Sequence, residues 1–246
     1  LWITLAIILC LILCYGIWQY FELKKFGVTE YKISSPKLKS TRRLIVLADL
    51  HGFRYGERNE RLLARIAAYK PDLILIAGDL IVSKYTETYG TMLDTLEQLV
   101  KLAPVYYSFG NHESRADRQG LLVSGAFEAY VREAVSLGVH FLRNENVLFQ
   151  AGEDTLGIGG IEIPLDYYEK GREVSMVPEV VEELMGSAME ECYQILLAHN
   201  PAYSEQYAAW GADLVLCGHN HGGLVRIPGI GSLLSPQLTF FPKYSG

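Results

Sequence analysis

Cysteine is scarce and poorly placed for cross-linking. Four occur in 246 residues: Cys10 and Cys14 inside one apolar run, Cys192 and Cys217 isolated. No pair shows the spacing of a disulfide framework or a zinc finger, so neither a disulfide-stapled fold nor a cysteine-bound structural zinc is indicated. Cys217 closes an apolar run and reads as a small core residue. Positive charge is also short. The 22 lysines and arginines against 28 acids leave a net charge of −6, which speaks against the basic face a nucleic-acid binder needs. Internal repeats and low-complexity stretches are missing too. Histidine is sparse, with six in the chain, and where those six fall carries the functional reading.

What is present begins with residues 1–21, "LWITLAIILCLILCYGIWQYF", which hold 18 apolar residues and no charge. That is long enough to cross a bilayer as a helix. Trp2, Trp18, Tyr20 and Phe21 sit near its ends, as an aromatic belt would. The apolar core is too long for a cleaved signal and no small-x-small site follows it, so the reading is a single-pass anchor. Residues 22–41 are polar and read as a juxtamembrane linker. Their Lys24, Lys25, Lys32, Lys37 and Lys39, with Arg42 just beyond, place the rest of the chain in the cytoplasm by the positive-inside rule. One folded domain is expected over 42–246, with further strands expected beyond its C-terminal end.

From Arg42 onward, short apolar runs alternate with helical spacing. "RLIVLAD" (43–49), "PDLILIAGD" (71–79), "PVYYSFGN" (104–111), "YQILLAHN" (193–200) and "ADLVLCGHN" (212–220) read as buried strands. "NERLLARIAAYK" (59–70), with Asn59 as a cap, and "TMLDTLEQLVKL" (91–102) read as helices. A further helix is expected near Leu121–Leu137, followed by shorter strand-like pieces through Ile163, and "LVRIPGIGSLLS" (224–235) reads as strand, turn, strand. This alternation predicts a layered α/β domain.

The ends of the five buried strands carry the chemistry. Asp49 and His51 follow the first, Gly78-Asp79 the second, and Asn111-His112-Glu113 the third; His199-Asn200 follows the fourth, and His219-Asn220-His221 the fifth. Ligands collect beyond the carboxyl ends of strands in open α/β sheets. Five of the six histidines fall in these places. The sixth, His140 in "GVHFLR", reads as an ordinary strand or surface residue. Each motif alone is weak, because Gly-Asp or Asn after a strand is a common turn. Five converging strand ends are not explained by turns, which have no use for histidine. Carboxylate, amide oxygen and imidazole without thiolate suit Mn, Fe or Zn at a hydrolytic site. There are more such groups than one ion can use, and two ions sharing a ligand fit the count.

These residues, "ADLHG" (48–52), "GDL" (78–80), "GNHE" (110–113), "LAHNP" (197–201) and "GHNHGG" (218–223), resemble the calcineurin-like metallophosphoesterase superfamily in type and in order. The resemblance covers residues 43–246 and is nearest the membrane-associated bacterial branch, some members of which are phosphodiesterases or UDP-2,3-diacylglucosamine hydrolases. It implies a four-layer α/β/β/α sandwich, here preceded by one transmembrane helix. It further implies that Asp49, His51 and His221 hold one divalent ion, that Asn111, His199 and His219 hold a second, and that Asp79 bridges both. Mn²⁺ is the first expectation, with Fe or Zn as alternatives. A hydroxide between the ions would attack phosphorus in line with the leaving oxygen. His112 would stand near that oxygen as a proton donor or stabilising cation. Many relatives carry an acid three residues after the motif Asp to orient this histidine. Here that position is Val82, which leaves Glu113 or a backbone carbonyl as substitutes. The Asp-Arg-Gly extension of the protein phosphatases is absent, which weighs against a phosphoprotein substrate.

The implied activity is cleavage of a phosphodiester or pyrophosphate, with a small-molecule or lipid-linked substrate such as UDP-2,3-diacylglucosamine made attractive by the anchor. No protein partner is evident. Arg115 and Arg118 could meet a substrate anion or pair with surface acids. The loop "IPLDYYEKGREVS" (163–175), with Tyr167, Tyr168, Lys170 and Arg172, could wall the substrate, though a solvated loop is favoured. The alternative function is a catalytically inactive metal-binding scaffold of the same fold. No ligand or catalytic histidine is lost here, which favours the enzyme. A nuclease is a weaker reading, since it would want a basic track.

Overall fold

The computed structural model describes residues 2–22, 24–120, 125–171, 174–227 and 231–244. Arg172 lies outside the described residues, as do 121–124 at the start of the expected middle helix and 228–230 in the expected C-terminal turn.

The catalytic part is built from two four-stranded sheets. The first has β1 (Leu44–Leu47), β2 (Leu73–Ala77), β3 (Val105–Ser108) and β4 (Val139–Leu142) in that order, all parallel. The second has β5 (Glu145–Ala151), β6 (Asp154–Ile161), β7 (Tyr193–Ala198) and β8 (Leu214–Leu216), with β5 antiparallel to β6 and the rest parallel. Side chains alternate across a strand, and each face finds a different partner. Leu73 and Leu75 of β2 point inward, onto Leu156 and Ile158 of β6 and Ile195 and Leu197 of β7. Ile74 and Ile76 point outward into a core with Leu62, Ile66, Met92, Leu96, Phe127 and Tyr130. Those residues belong to α2 (Glu60–Tyr69), α3 (Glu87–Leu99) and α5 (Ala126–Leu137). On the far side, Leu196 and Ala198 of β7 meet Val181, Met185 and Tyr207 of α6 (Pro178–Met185) and α7 (Ser204–Trp210). The layers are therefore helix, sheet, sheet, helix. Each fully buried Leu or Ile contributes about 1.5–3 kcal/mol. A small antiparallel ribbon, β9 (Val225–Ile227) with β10 (Gly231–Leu234), follows β8.

Two expectations need correction. The first and last of the five motif strands are only half-buried: among the described residues β1 pairs only with β2 and β8 only with β7, and Val46 is exposed. Asn59 does not cap α2 through its side chain. Its carbonyl oxygen accepts from Tyr55 N (2.7 Å) and its amide donates to Thr95 Oγ1 (2.9 Å), which ties the loop after β1 to α3. "NHESRADRQG" forms a helix, α4 (Asn111–Gly120), which periodicity missed because Ala116 is its one apolar side chain.

The N-terminal run is one helix, α1 (Trp2–Glu22), with a mean hydropathy of 2.0 in its best window and none of that window buried. It is long and apolar enough for a membrane span or a signal. The polar segment after it is not simply solvated. The Phe26 ring packs edge-on against Tyr55 at 4.8 Å. Tyr69 donates to Glu30 (2.7 Å), and Lys37 pairs with Asp213 ahead of β8 (2.8 Å). The buried Asp154 carboxylate accepts from the backbone of Lys39 (2.6 Å) and Ser40 (3.1 Å) and from the Ser40 hydroxyl. Arg42 donates to Ala151 O (2.6 Å). The segment runs across the domain from α2 to the second sheet.

Candidate active site

The parallel strands β1, β2, β3, β7 and β8 all deliver their C-terminal ends to one region, and the loops leaving them hold every predicted site residue. Asp49 (φ 57°), His51 (φ 48°), Asp79 (φ 53°), His219 (φ 70°) and His221 (φ 51°) all adopt the left-handed backbone conformation. That conformation is uncommon for residues with a Cβ, costs of order 1 kcal/mol or more each, and gathers at functional sites. In "GHNH" it occurs twice within three residues, so both imidazoles turn inward although only Asn220 separates them.

Close approach of the loops depends on glycine. A Cβ on Gly110 would lie 2.7 Å from Asp79 N and 2.3 Å from Asp79 Oδ1, and one on Gly78 (φ 87°) would lie 2.5 Å from Gly110 N. Glu113 then locks these loops together. Its fully buried carboxylate accepts from Asp79 N (2.8 Å) and Gly110 N (3.0 Å) at Oε2, and from Leu80 N (2.9 Å), Ile81 N (3.3 Å) and Tyr107 OH (2.6 Å) at Oε1. Asp79 in turn accepts His112 N–H at Oδ1 (2.8 Å). Burial and the nearby Asp79 charge push the Glu113 pKa up to about 7, against the pull of its hydrogen bonds.

The ligand-type atoms fall into three overlapping groups, each within 4.8 Å: Asp49, His51 and His221; His51, Asp79 and His112; and Asp79, His199 and His219. Asp49 Oδ1 is 3.7–3.8 Å from the Nε2 atoms of His51, His199 and His221. Asp79 Oδ2 is 3.1 Å from His199 Nε2 and 3.9 Å from His51 Nε2. Donors that share an ion with bonds of about 2.1 Å stand about 3–3.5 Å apart, so this spacing suits divalent cations.

Further observations support the fit. Asp49 Oδ1 and His219 Nε2 are buried without a hydrogen-bond partner among the described residues, a costly arrangement unless a cation meets them, while His199 Nε2 stands 3.1 Å from Asp79 Oδ2. His199 Nδ1–H donates to Ala77 O at 2.6 Å, so Nε2 is left to face the carboxylates, the outer-shell pattern of a ligating histidine. Burial drives the His51 pKa down to about 4 and that of His219 down to about 3, which keeps both in the neutral form that binds metal. His199 goes the other way. Burial opposes its charge, but Asp79 and Asp49 outweigh that and raise its pKa to about 9. The carboxylates thus draw positive charge to this spot. His199 and Asp79 Oδ1's partner His112 together hold the Asp79 carboxyl well below the usual range, although burial acts to raise it.

Asn111 begins α4 beside these groups. In the orientation that satisfies its neighbours, its NH₂ donates to His219 Nδ1 (2.9 Å) and its oxygen accepts from His112 N (3.2 Å) and Arg115 Nη1 (2.9 Å). Turned over, the oxygen faces His219 Nδ1 and the NH₂ faces those two donors. The amide therefore has two uses: oxygen toward a cation shared with His219, or oxygen toward Arg115.

His112 is held by a residue that sequence reasoning missed. Neither Glu113 nor a carbonyl touches its ring. Ser83 N–H donates to His112 Nδ1 at 3.1 Å, with the Ser83 hydroxyl 3.3 Å from the same nitrogen. A main-chain donor on Nδ1 leaves the ring hydrogen on Nε2. No residue-type signal marks this contact, because the backbone makes it. The ring sits edge-on to His51 at 4.9 Å, and burial lowers its pKa. Tyr168 was also undervalued. It is buried, with its ring 5.1 Å from His219 and 6.1 Å from His199, so it backs the site, while Lys170 is exposed. Asn200 is structural: it accepts from Ala202 N and donates to Tyr167 O, both at 3.1 Å. His140 stacks on Tyr106 at 5.0 Å in β4, away from the centre.

Comparison with known proteins agrees with this arrangement. The chain is 25% identical over 222 residues to the phosphodiesterase YaeI of Escherichia coli (strain K12), covering 88% of this chain and 73% of YaeI. It is 29% identical over 201 residues to the Bacillus subtilis (strain 168) protein YpbG, covering 80% of this chain and 67% of YpbG. It is 25% identical over 232 residues to the B. subtilis metallophosphoesterase YkuE, covering 90% and 74%. Residues 42–223 match the calcineurin-like phosphoesterase family, a span that holds all five motif loops and all three ligand groups. The chain belongs to the calcineurin-like phosphoesterase family and is a metal-dependent phosphoesterase.

Proposed function

We propose that this protein hydrolyses a phosphodiester or pyrophosphate with two divalent ions, Asp49, His51 and His221 holding one, Asn111, His199 and His219 the other, and Asp79 both. The observation that carries the reading is the clustering of ligand-type atoms around Asp49 and Asp79, where Asp49 Oδ1 and His219 Nε2 are buried with no hydrogen-bond partner among the described residues. Mn²⁺ suits the oxygen and nitrogen donors, with Fe or Zn as alternatives. When bound, the ions would supply Lewis acidity and an activated water. The chain's own groups do the rest. Glu113 fixes the loops that present Asp79 and Asn111. Ser83 fixes the His112 ring so that Nε2–H can donate to the departing oxygen. Tyr168 excludes water behind His199 and His219.

Diester chemistry is favoured by the likeness to YaeI. A lipid-linked substrate such as UDP-2,3-diacylglucosamine is favoured by α1, which we assign as a membrane anchor with the catalytic domain on the cytoplasmic side, where the lysines after it would lie. The test loads the protein with Mn²⁺ and assays a chromogenic phosphodiester, a phosphomonoester and UDP-2,3-diacylglucosamine in parallel. Turnover that EDTA removes and Asp79→Ala abolishes is expected. Bound metal with no turnover on any ester would instead make the protein an inactive metal-binding scaffold.

A further inference from the structure

Arg115 lies one helical turn beyond Asn111 on α4, so the two side chains share a face. Its Nη1 is 2.9 Å from the Asn111 amide. Among the described residues no carboxylate is within salt-bridge distance of it. Asp117 and Glu162, the acids beside α4, pair with Arg143 instead, at 2.7 and 2.8 Å. Arg118 is exposed on the same helix.

Asn111 has one side-chain oxygen to offer. In the orientation that satisfies its neighbours, that oxygen serves Arg115 Nη1 and His112 N–H while the NH₂ donates to His219 Nδ1. Turned toward His219 to meet a cation, it leaves Arg115 facing an NH₂ group that can accept nothing. Metal loading therefore removes Arg115's acceptor. A half-buried guanidinium without an acceptor is costly, and its forked donors match a phosphate oxygen pair better than any neutral group.

We propose that Arg115 anchors the substrate phosphate and is released for that role when a cation takes the Asn111 oxygen. A non-bridging phosphoryl oxygen then replaces the amide oxygen on the guanidinium. Loading runs in order, cation first and phosphate second. This rests on the phosphohydrolase reading above and adds the residue that holds the anion.

The experiment titrates inorganic phosphate into the Mn²⁺-loaded wild type, Arg115→Gln and Arg115→Lys by calorimetry, after titrating Mn²⁺ into each. The phosphate Kd is expected to rise about ten- to hundredfold in Arg115→Gln, as for loss of a charge-assisted hydrogen bond, and less in Arg115→Lys. Mn²⁺ should bind the Gln variant no more weakly than wild type, because the competitor for Asn111's oxygen is gone. In turnover, KM should rise more than kcat falls. Unchanged phosphate binding, or a loss that tracks lost Mn²⁺, overturns the anchor. Should Arg115→Gln fail to fold, Arg115→Lys decides, and a phosphate Kd equal to wild type overturns the proposal. A wild type that hydrolyses esters no better than Arg115→Gln refutes the anchor alone. A wild type that binds phosphate through Arg115 yet cleaves no ester refutes the hydrolase reading and leaves the anchor standing.

Discussion

Replacing Glu113 by Gln tests how the site is held, because it changes one atom and no volume. The carboxylate accepts from four backbone N–H groups and the Tyr107 hydroxyl. A glutamine has one acceptor oxygen. Placed where Oε1 lies, it keeps three donors, and its NH₂ then faces Asp79 N–H and Gly110 N–H. Two buried donors left unsatisfied cost about 1–3 kcal/mol each, so about 2–6 kcal/mol in all. The burial cost of the native charge, seen in a pKa pushed up to about 7, offsets part of this, so about 2–4 kcal/mol is expected. For a domain of this size that corresponds to a Tm lower by about 5–15 °C. The loosened groups are the backbones of Asp79 and of the residue before Asn111, so Mn²⁺ affinity should fall together with Tm. Thermal melts of metal-free protein and Mn²⁺ calorimetry on the same samples measure both. A variant that melts within about 1 °C of wild type and binds Mn²⁺ equally well would show that the loops hold themselves and that this reasoning is wrong.

Other outcomes follow from the same contacts. Ser83→Ala keeps the N–H on His112 Nδ1 and should leave kcat within about twofold, whereas Ser83→Pro removes it and should lower kcat about tenfold or more, checked by steady-state kinetics with metal content measured alongside. Gly110→Ala puts a methyl 2.7 Å from Asp79 N and should lose metal and activity together, read by metal analysis and turnover. The Asp154 carboxyl is held below its ordinary pKa by Ser40 and the Lys39 N–H. A lowered carboxyl pKa stabilises above the unfolded value and the effect is lost on acidification. The segment 24–42 should therefore resist proteolysis and hydrogen exchange at neutral pH, and open as the pH falls below about 4 or in Asp154→Asn at any pH.

Much of this arrangement was readable before any coordinates. The apolar runs of β2 and β7 announce strands covered on both faces, and ligand-type residues at their ends stand out because histidine has no role in an ordinary turn. What stayed hidden shares a physical cause. Ser83 acts through its main chain, so its side-chain type is uninformative. The helix α4 is almost wholly polar because its first turn serves the site, and a search for apolar periodicity passes over it. β1 and β8 look like strands covered on both faces by composition, yet among the described residues each pairs on one side only and is half-buried, since pairing is a property of the sheet. Asn59 looks like a cap from its neighbours in sequence, but its partner Thr95 is 36 residues away.

The docked segment ahead of β1 has a consequence for reach. Twenty flexible residues would let a domain wander over a root-mean-square span of about 25 Å from its tether point. Here Phe26, Glu30, Lys37, Lys39 and Ser40 are each fastened to the domain, so the stretch acts as a strut and not as a leash. Residues 26–40 therefore add little free length of their own between α1 and the ligand groups at Asp49 and His221.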